Sequence, residues 1–441
     1  MDKMNNEDKS TRQTIINRTI QECIEIEQPN NTSQKNNSQS SMLFGLRNLF
    51  SNAKNIIKFN LISLNTSLTL SQPDSIHIYS KVIDLKKGDD IKRFHKKISK
   101  ILYFSYRKNF LPINSYKTQG LFTSDAGWGC MIRSSQMIFA RALYKIFYYE
   151  NKNINEALNQ TLSLFFETPY TAGNIPSIYA NYESKVVKSK SVDNTQYTIK
   201  SIYPPFSIKP ICSIGEIYNK AAGEWFSDVN MPNIYKIINE NFNVLPKLKI
   251  ITFQTLITLQ NIVETCFTKV NQGQGDDIIS FNGEQYQFNN YGLIFVSVRI
   301  GINTIPIEYH QSIKNLFTSK QFIGFIGGKD FSATYFFGYG TDNIFYLDPH
   351  YAQESLHDNN NRKGIEDTYL TKKVYQLNFN RLQTAFTIGF LFRNAKEYIE
   401  LQQWIEKYCK ESNPCFQYEI EERKETEEEK EIKLNMEKDD F

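Results

Sequence analysis

Cys130 closes the run Thr123-Ser124-Asp125-Ala126-Gly127-Trp128-Gly129-Cys130, and an amphipathic stretch begins directly after it. A glycine-rich turn running into a helix places the thiol at a helix N-terminus. The backbone N–H groups and the positive dipole end there favour thiolate over thiol, and the same N–H groups can donate to an oxyanion during acyl transfer. Gly127 and Gly129 allow a substrate strand to approach the backbone. The chemistry on offer is nucleophilic catalysis by sulfur. The plainer alternative is a buried cysteine that fills the start of the helix.

Such a nucleophile needs a base and a group to orient it. Of the five histidines, His95 sits in a charged segment, His357 in an Asn-rich loop, His77 near the edge of the globular region and His310 on a short helix. His350 differs, because it ends Phe345-Tyr346-Leu347-Asp348-Pro349-His350, an apolar strand closing into a loop. Residues two apart on a strand share a face, so Asp348 and His350 are neighbours. An Asp beside a His fixes its tautomer and stabilises imidazolium. Asp-Pro is also ordinary turn chemistry. Other chemistries lack their residues. No paired Cys/His spacing for zinc occurs, Gly327-Gly328-Lys329-Asp330 lacks the rest of a phosphate loop, and Gly127-Trp128-Gly129 has no third glycine for a dinucleotide.

The elements that must position these residues follow from periodicity. Met131 to Tyr148 carries a wide apolar stripe at helical spacing, and Ile91 to Phe104 a narrower one. Asn233 to Glu240, Glu308 to Phe317 and Lys396 to Tyr408 also read as helices. Between 247 and 346, and again over 385–393, short β-branched and aromatic runs punctuated by Gly and Asn read as strands. Helices first and strands later predict an α+β fold, a helical layer against a largely antiparallel sheet.

The chain has 441 residues, with 40% hydrophobic and 14% aromatic, enough for a sizeable core. No apolar run approaches the roughly 20 residues of a membrane span. The polar N-terminus and six scattered cysteines predict reduced thiols in the cytoplasm. A net charge of +4 gives no case for nucleic acid. The expected layout is a disordered extension over 1–60, a catalytic domain over 61–418 and a solvated acidic tail over 419–441. That tail has 11 acidic and 5 basic residues. Within the extension, the apolar and basic residues of 43–58 suit either a membrane-surface helix or one packed on the domain edge. Residues 183–202 read as a polar surface insertion.

TSDAGWGCMIRSSQM, with YRKNF upstream and FYLDPH downstream, resembles the autophagin family, autophagy-related cysteine proteases of papain-like fold. Ser213 to Trp225, YGLIFVSVRIG, FIGFIGGKDFSATYFFGYG and TIGFLFRN extend the likeness in order over about 75 to 418. The resemblance implies that Cys130 attacks the carbonyl after a glycine, that His350 is base and then acid, and that Asp348 orients it. It implies that Tyr106 lends its hydroxyl to the oxyanion hole and that Trp225 lies over the cleft. Gly327 to Phe331 matches a loop that shields the cysteine and lifts for substrate, so Trp225, Gly328 and Lys329 are expected to contact substrate. Ser135, Asp330 and Phe331 depart from the family pattern.

The implied reaction is C-terminal trimming of a ubiquitin-like autophagy modifier to expose a glycine, and later release of that glycine from phosphatidylethanolamine. A monomer with peripheral contact with autophagic membranes is expected, with no metal or organic cofactor. A catalytically silent scaffold binding the same modifier, or an acyltransferase of similar geometry, are the other readings.

Overall fold

The computed structural model of the protein describes residues 6–27, 75–84, 98, 100–118, 120–171, 173–181, 198–329, 332–355, 367–371 and 373–421. The stretch 43–58, Asp330, Phe331, His95, His357 and the tail beyond 421 lie outside them.

The expectation of a disordered 1–60 is corrected at its start. Residues 6–23 form α1 (Asn6–Cys23) and the next four form β1 (Ile24–Glu27). Composition averages over a narrow stripe. Ile16, Thr19 and Cys23, three and four apart, are buried. The helix packs on the later helix 208–215, with Arg18 ion-paired to Glu216. β2 (Ser75–Ile78) and β3 (Lys81–Asp84) form a hairpin. The helix expected over 91–104 is corrected at its described end, where residues 101–104 are not helical and Leu102 bridges Leu370.

A second hairpin, β4 (Arg107–Asn114) and β5 (Leu121–Ser124), delivers the chain to α2 (Cys130–Asn151). The α2 stripe is buried as its spacing predicts, with Ile132, Ile138, Phe139 and Leu143 fully covered. Phe139 stacks on Tyr235 at 4.3 Å and meets Phe206 edge-on at 4.7 Å. Each such buried ring contributes about 1.5–3 kcal/mol. α3 (Ile154–Ser163) follows, capped by Asn153, whose side chain accepts from the N–H groups of Asn155 and Glu156. β6 (Tyr170–Thr171) and β7 (Thr198–Ile202) pair, and β1 pairs with the other edge of β7. The insertion read over 183–202 therefore ends in a strand. α4 (Ile208–Gly215) and α5 (Asn230–Phe242) complete this side.

The second half is sheet-rich: β8 (Leu248–Gln254), β9 (Leu256–Thr258), α6 (Leu259–Cys266), a small sheet of β10 (Phe267–Val270), β11 (Ile278–Phe281) and β12 (Glu284–Phe288) with β12 in the middle, then β13 (Tyr291–Arg299) and α7 (His310–Leu316). β14 (Phe322–Lys329), β15 (Ser332–Tyr339), β16 (Asn343–Leu347), β17 (Gln353–Glu354), β18 (Tyr375–Asn378), β19 (Leu382–Phe392), α8 (Ala395–Tyr408) and β20 (Gln417–Glu419) follow. The main sheet runs β18-β16-β15-β14-β19-β13-β8, with β2 also on β15. Its strand pairs are antiparallel except β13 with β8, so the α+β layout holds.

Both faces of this sheet are buried. On β13, Leu293 and Phe295 join the core under α2 and α5, while Ile294, Val296 and Val298 join the core under α6, α7 and α8. That is why its sequence is an unbroken apolar run rather than an alternating one. Phe416 is fully buried against Trp404 and Tyr408, and β20 pairs with β9. The expected tail boundary at 419 therefore falls inside the last strand.

Candidate active site

Three segments converge at the N-terminus of α2. The first is the turn Asp125 to Gly129. Gly127 holds φ +89°, a conformation that favours glycine. A Cβ on Gly129 would lie 2.5 Å from an Asp125 carboxylate oxygen. Gly129 brings no capping side chain, so Cys130 enters the first turn of α2 with the dipole end beside its sulfur. Cys130 is 9% exposed.

The second segment leaves β16. His350 Nδ1 and Asp348 Oδ1 are 2.5 Å apart, and the His350 N–H also donates to that oxygen at 3.0 Å. Burial works against the Asp348 charge. The His350 hydrogen bond and charge outweigh it and hold the carboxyl below its ordinary range. Asp348 is therefore ionised and accepts, so Nδ1 carries the proton and Nε2 is the atom left to serve sulfur. For His350, burial opposes the charged form; the Asp348 hydrogen bond and charge, then Cys130, override it and raise the imidazolium to about 10. For Cys130, burial raises the thiol, but the His350 hydrogen bond and charge, the Ala333 N–H and Tyr106 reverse this and lower it. The two shifts have one cause, the buried contact of Cys130 with His350, which favours the charged form of each.

The third segment is Ser105 to Arg107. The Tyr106 N–H donates to Pro349 O at 2.9 Å, and the Gln353 N–H donates to Tyr106 O at 2.9 Å. The Tyr106 ring meets the His350 ring edge-on at 5.4 Å. Its hydroxyl is buried and has no hydrogen-bonded nitrogen or oxygen among the described residues. Burial, then the adjacent Cys130, push this phenol well above its ordinary value, so it stays a donor. Cys130, Asp348, His350 and Tyr106 are thus brought together from three distant stretches of chain.

Trp225 is 55% exposed, and its indole N–H donates to Gly127 O at 3.0 Å, so the ring lies against the turn before Cys130. Lys329 differs from its expectation as a substrate contact. It is buried, its ammonium donates to the Tyr346 hydroxyl at 2.6 Å, and its charge helps to lower the Asp348 carboxyl from behind. Gly328 faces Gln383, where an added Cβ would lie 1.5 Å from the side-chain oxygen. Ser135 is accommodated by hydrogen bonds to Ile132 O at 2.7 Å and the Tyr235 hydroxyl at 2.8 Å.

Sequence reasoning missed Ala333, which packs on Cys130 with Tyr106 and Ala126 and donates its N–H to the sulfur. It also missed the buried ion network beneath the turn. Asp125 accepts from Arg133 Nε at 2.6 Å, and Arg133 also pairs with Glu167. The one available signal was an Asp and an Arg eight apart around the cysteine. Among the described residues no group of three His, Cys, Asp or Glu is placed to hold a metal ion, and no helix is long and apolar enough to cross a membrane.

Comparison with known proteins gives concordant results. The profile described as the peptidase C54 catalytic domain matches residues 91–404. Cysteine protease ATG4D of Xenopus laevis is 24% identical over 380 residues, covering 81% of this chain and 76% of that protein. A probable cysteine protease ATG4 of Candida glabrata is 27% identical over 326 residues, 67% of this chain and 56% of that protein. A probable cysteine protease of the same name from Aspergillus niger is 27% identical, with 69% and 70% covered.

Proposed function

Since the chain belongs to the peptidase C54 family, the autophagins, and is a papain-like cysteine protease of autophagy, we propose that it cleaves a ubiquitin-like modifier after a C-terminal glycine and later frees that glycine from phosphatidylethanolamine. The observation that carries this reading is the Cys130–His350–Asp348 alignment beside a buried, protonated Tyr106 hydroxyl.

In the proposed reaction the Cys130 thiolate adds to the glycine carbonyl carbon. The oxyanion accepts from the Cys130 N–H and the Tyr106 hydroxyl. His350 gives its Nε2 proton to the leaving amine, the C–N bond breaks and a thioester remains. Water then adds, losing its proton to His350, and the C–S bond breaks to release the glycine carboxylate. The leaving amine is the next residue of a precursor or the ethanolamine nitrogen of the lipid, and the bond broken is an amide in both. Exposed Trp225 against the Gly127 turn supports a narrow entrance suited to a residue without Cβ. Ala333 on the sulfur supports a covered resting state that binding of the modifier body would open. The place of action we propose is the cytoplasm and the surface of autophagic membranes, with the enzyme acting as a monomer.

The test is cleavage of a modifier precursor and of liposome-linked modifier. Wild type is expected to release both, and Cys130→Ser to release neither while still binding the modifier. Turnover by Cys130→Ser at the wild-type rate would overturn the reading. Binding without turnover by wild type would favour the silent scaffold.

A further inference from the structure

Tyr106 lies just before β4 and Cys130 opens α2, yet a shared oxyanion requires their donors to sit at a fixed separation. One residue holds the backbone next to each. An Asp125 carboxylate oxygen accepts from the Arg107 N–H at 2.6 Å, immediately after Tyr106. The Asp125 N–H returns a bond to Arg107 O at 3.2 Å. The Asp125 carbonyl accepts from the Gly129 N–H at 2.8 Å, immediately before Cys130, and from the Trp128 N–H at 3.2 Å. The second carboxylate oxygen is held by Arg133 Nε at 2.6 Å. Arg133 in turn reaches Gln136 and Glu167, and Glu167 accepts from the Ile208 N–H at 3.0 Å. Asp125 and Arg133 are both fully buried.

A buried ion network is a poor route to stability, because desolvation consumes most of its attraction. It does fix geometry, since both Asp125 carboxylate oxygens and the Arg133 Nε and Nη1 each have a defined partner. Gly129 shows how tight the fit is. Its φ of −83° suits any residue, and the obstacle to a side chain there is the Asp125 carboxylate 2.5 Å from where a Cβ would stand.

Resting on the proposed reaction, we infer that Asp125 is a positioning residue that sets the Tyr106 hydroxyl relative to Cys130 for the oxyanion. It touches no substrate and acts through Tyr106. Arg133 and Glu167 keep its carboxylate in the one orientation that reaches the Arg107 N–H.

The test is a double-mutant cycle on wild-type-like full chains. Asp125→Asn removes the charge held by Arg133. Gly129→Ala displaces the carboxylate and changes no charge. Each is expected to lower kcat by about 10²-fold, with KM within about twofold of wild type because ground-state binding is untouched. In a Tyr106→Phe background each should cost less than about threefold more, since the group it positions has gone. Additive losses in that background, or wild-type kcat in either single variant, would overturn the inference. So would loss of folding in both, because Asp125 would then hold the domain as a whole. A wild type inert toward the precursor sinks the functional reading and takes this inference with it; an active wild type with additive variants sinks this inference alone.

Discussion

Cys130 and Cys212 make a natural pair. Both are buried, at 9% and 4% exposure, on helices that flank the same Asp125–Arg133–Glu167 network. Their thiols move in opposite directions. Burial, then Asp125 and Glu167, push Cys212 well above the ordinary range, and Arg133 does not compensate. Cys130 bears the same burial penalty, but it faces an imidazolium, a backbone N–H and a phenol and is lowered. For Cys23 and Cys266 burial outweighs the pull of Lys209 and Lys249, and both thiols are pushed up to about 12. Removal from water makes a thiol inert, and it takes a cation in hydrogen-bond contact, with further donors on the sulfur, to reverse the sign.

The strongest way to break this contrast is to remove the cation. His350→Ala should lower kcat by about 10⁴-fold or more, and Cys130 should then alkylate like Cys212. Iodoacetamide labelling followed across pH reads this directly. In wild type, labelling of Cys130 should persist as pH falls below the ordinary thiol range and disappear only when the thiolate protonates. Turnover should fail again as pH rises through about 10, where His350 loses the proton it gives the leaving amine. Labelling of Cys130 that rises only at the pH where ordinary thiols ionise would contradict the ion pair.

A smaller effect sharpens the role of the phenol. Tyr106→Phe should cost about 10²–10³-fold in kcat, the usual loss for one oxyanion donor, with KM unchanged. Steady-state kinetics decide it, and a variant altered in KM alone would place Tyr106 in binding instead. The smallest effect is on the inert side. Cys212→Ser should leave kcat intact and lower stability by about 1–3 kcal/mol by burying a poorly matched hydroxyl. Denaturant unfolding would show it, and lost activity at unchanged stability would mean that Cys212 reaches the chemistry.

What was legible in the sequence was what periodicity and local spacing encode. The apolar stripe of α2, the strand runs of β8, β13, β14, β15, β16 and β19, and the i, i+2 relation of Asp348 to His350 are local properties. The helix start at Cys130 followed from its glycines. What stayed hidden depends on partners far along the chain. Nothing near Ala333 announces that its N–H reaches the sulfur, and nothing in LYFSYRKNF says that Tyr106 is stitched to Pro349 and Gln353. Lys329 reads as a substrate contact until Tyr346 takes its ammonium. The helix read over 91–104 failed where an apolar period served Leu102 and Phe104 in extended chain. α1 was lost to composition, because three small contacts in a polar segment do not move an average.

The docking of β1 along β7 has a practical corollary. The family profile begins at residue 91, so a protein trimmed to that limit loses both α1 and β1. It would keep β7 paired on one side only, with a bare row of N–H and C=O groups facing solvent and the apolar bed beneath Ile16 uncovered. Bare strand edges of that kind invite a second chain to add on. Material cut to the profile-matched residues would therefore be the form that self-associates, and α1 with β1 the part that keeps the enzyme apart from itself.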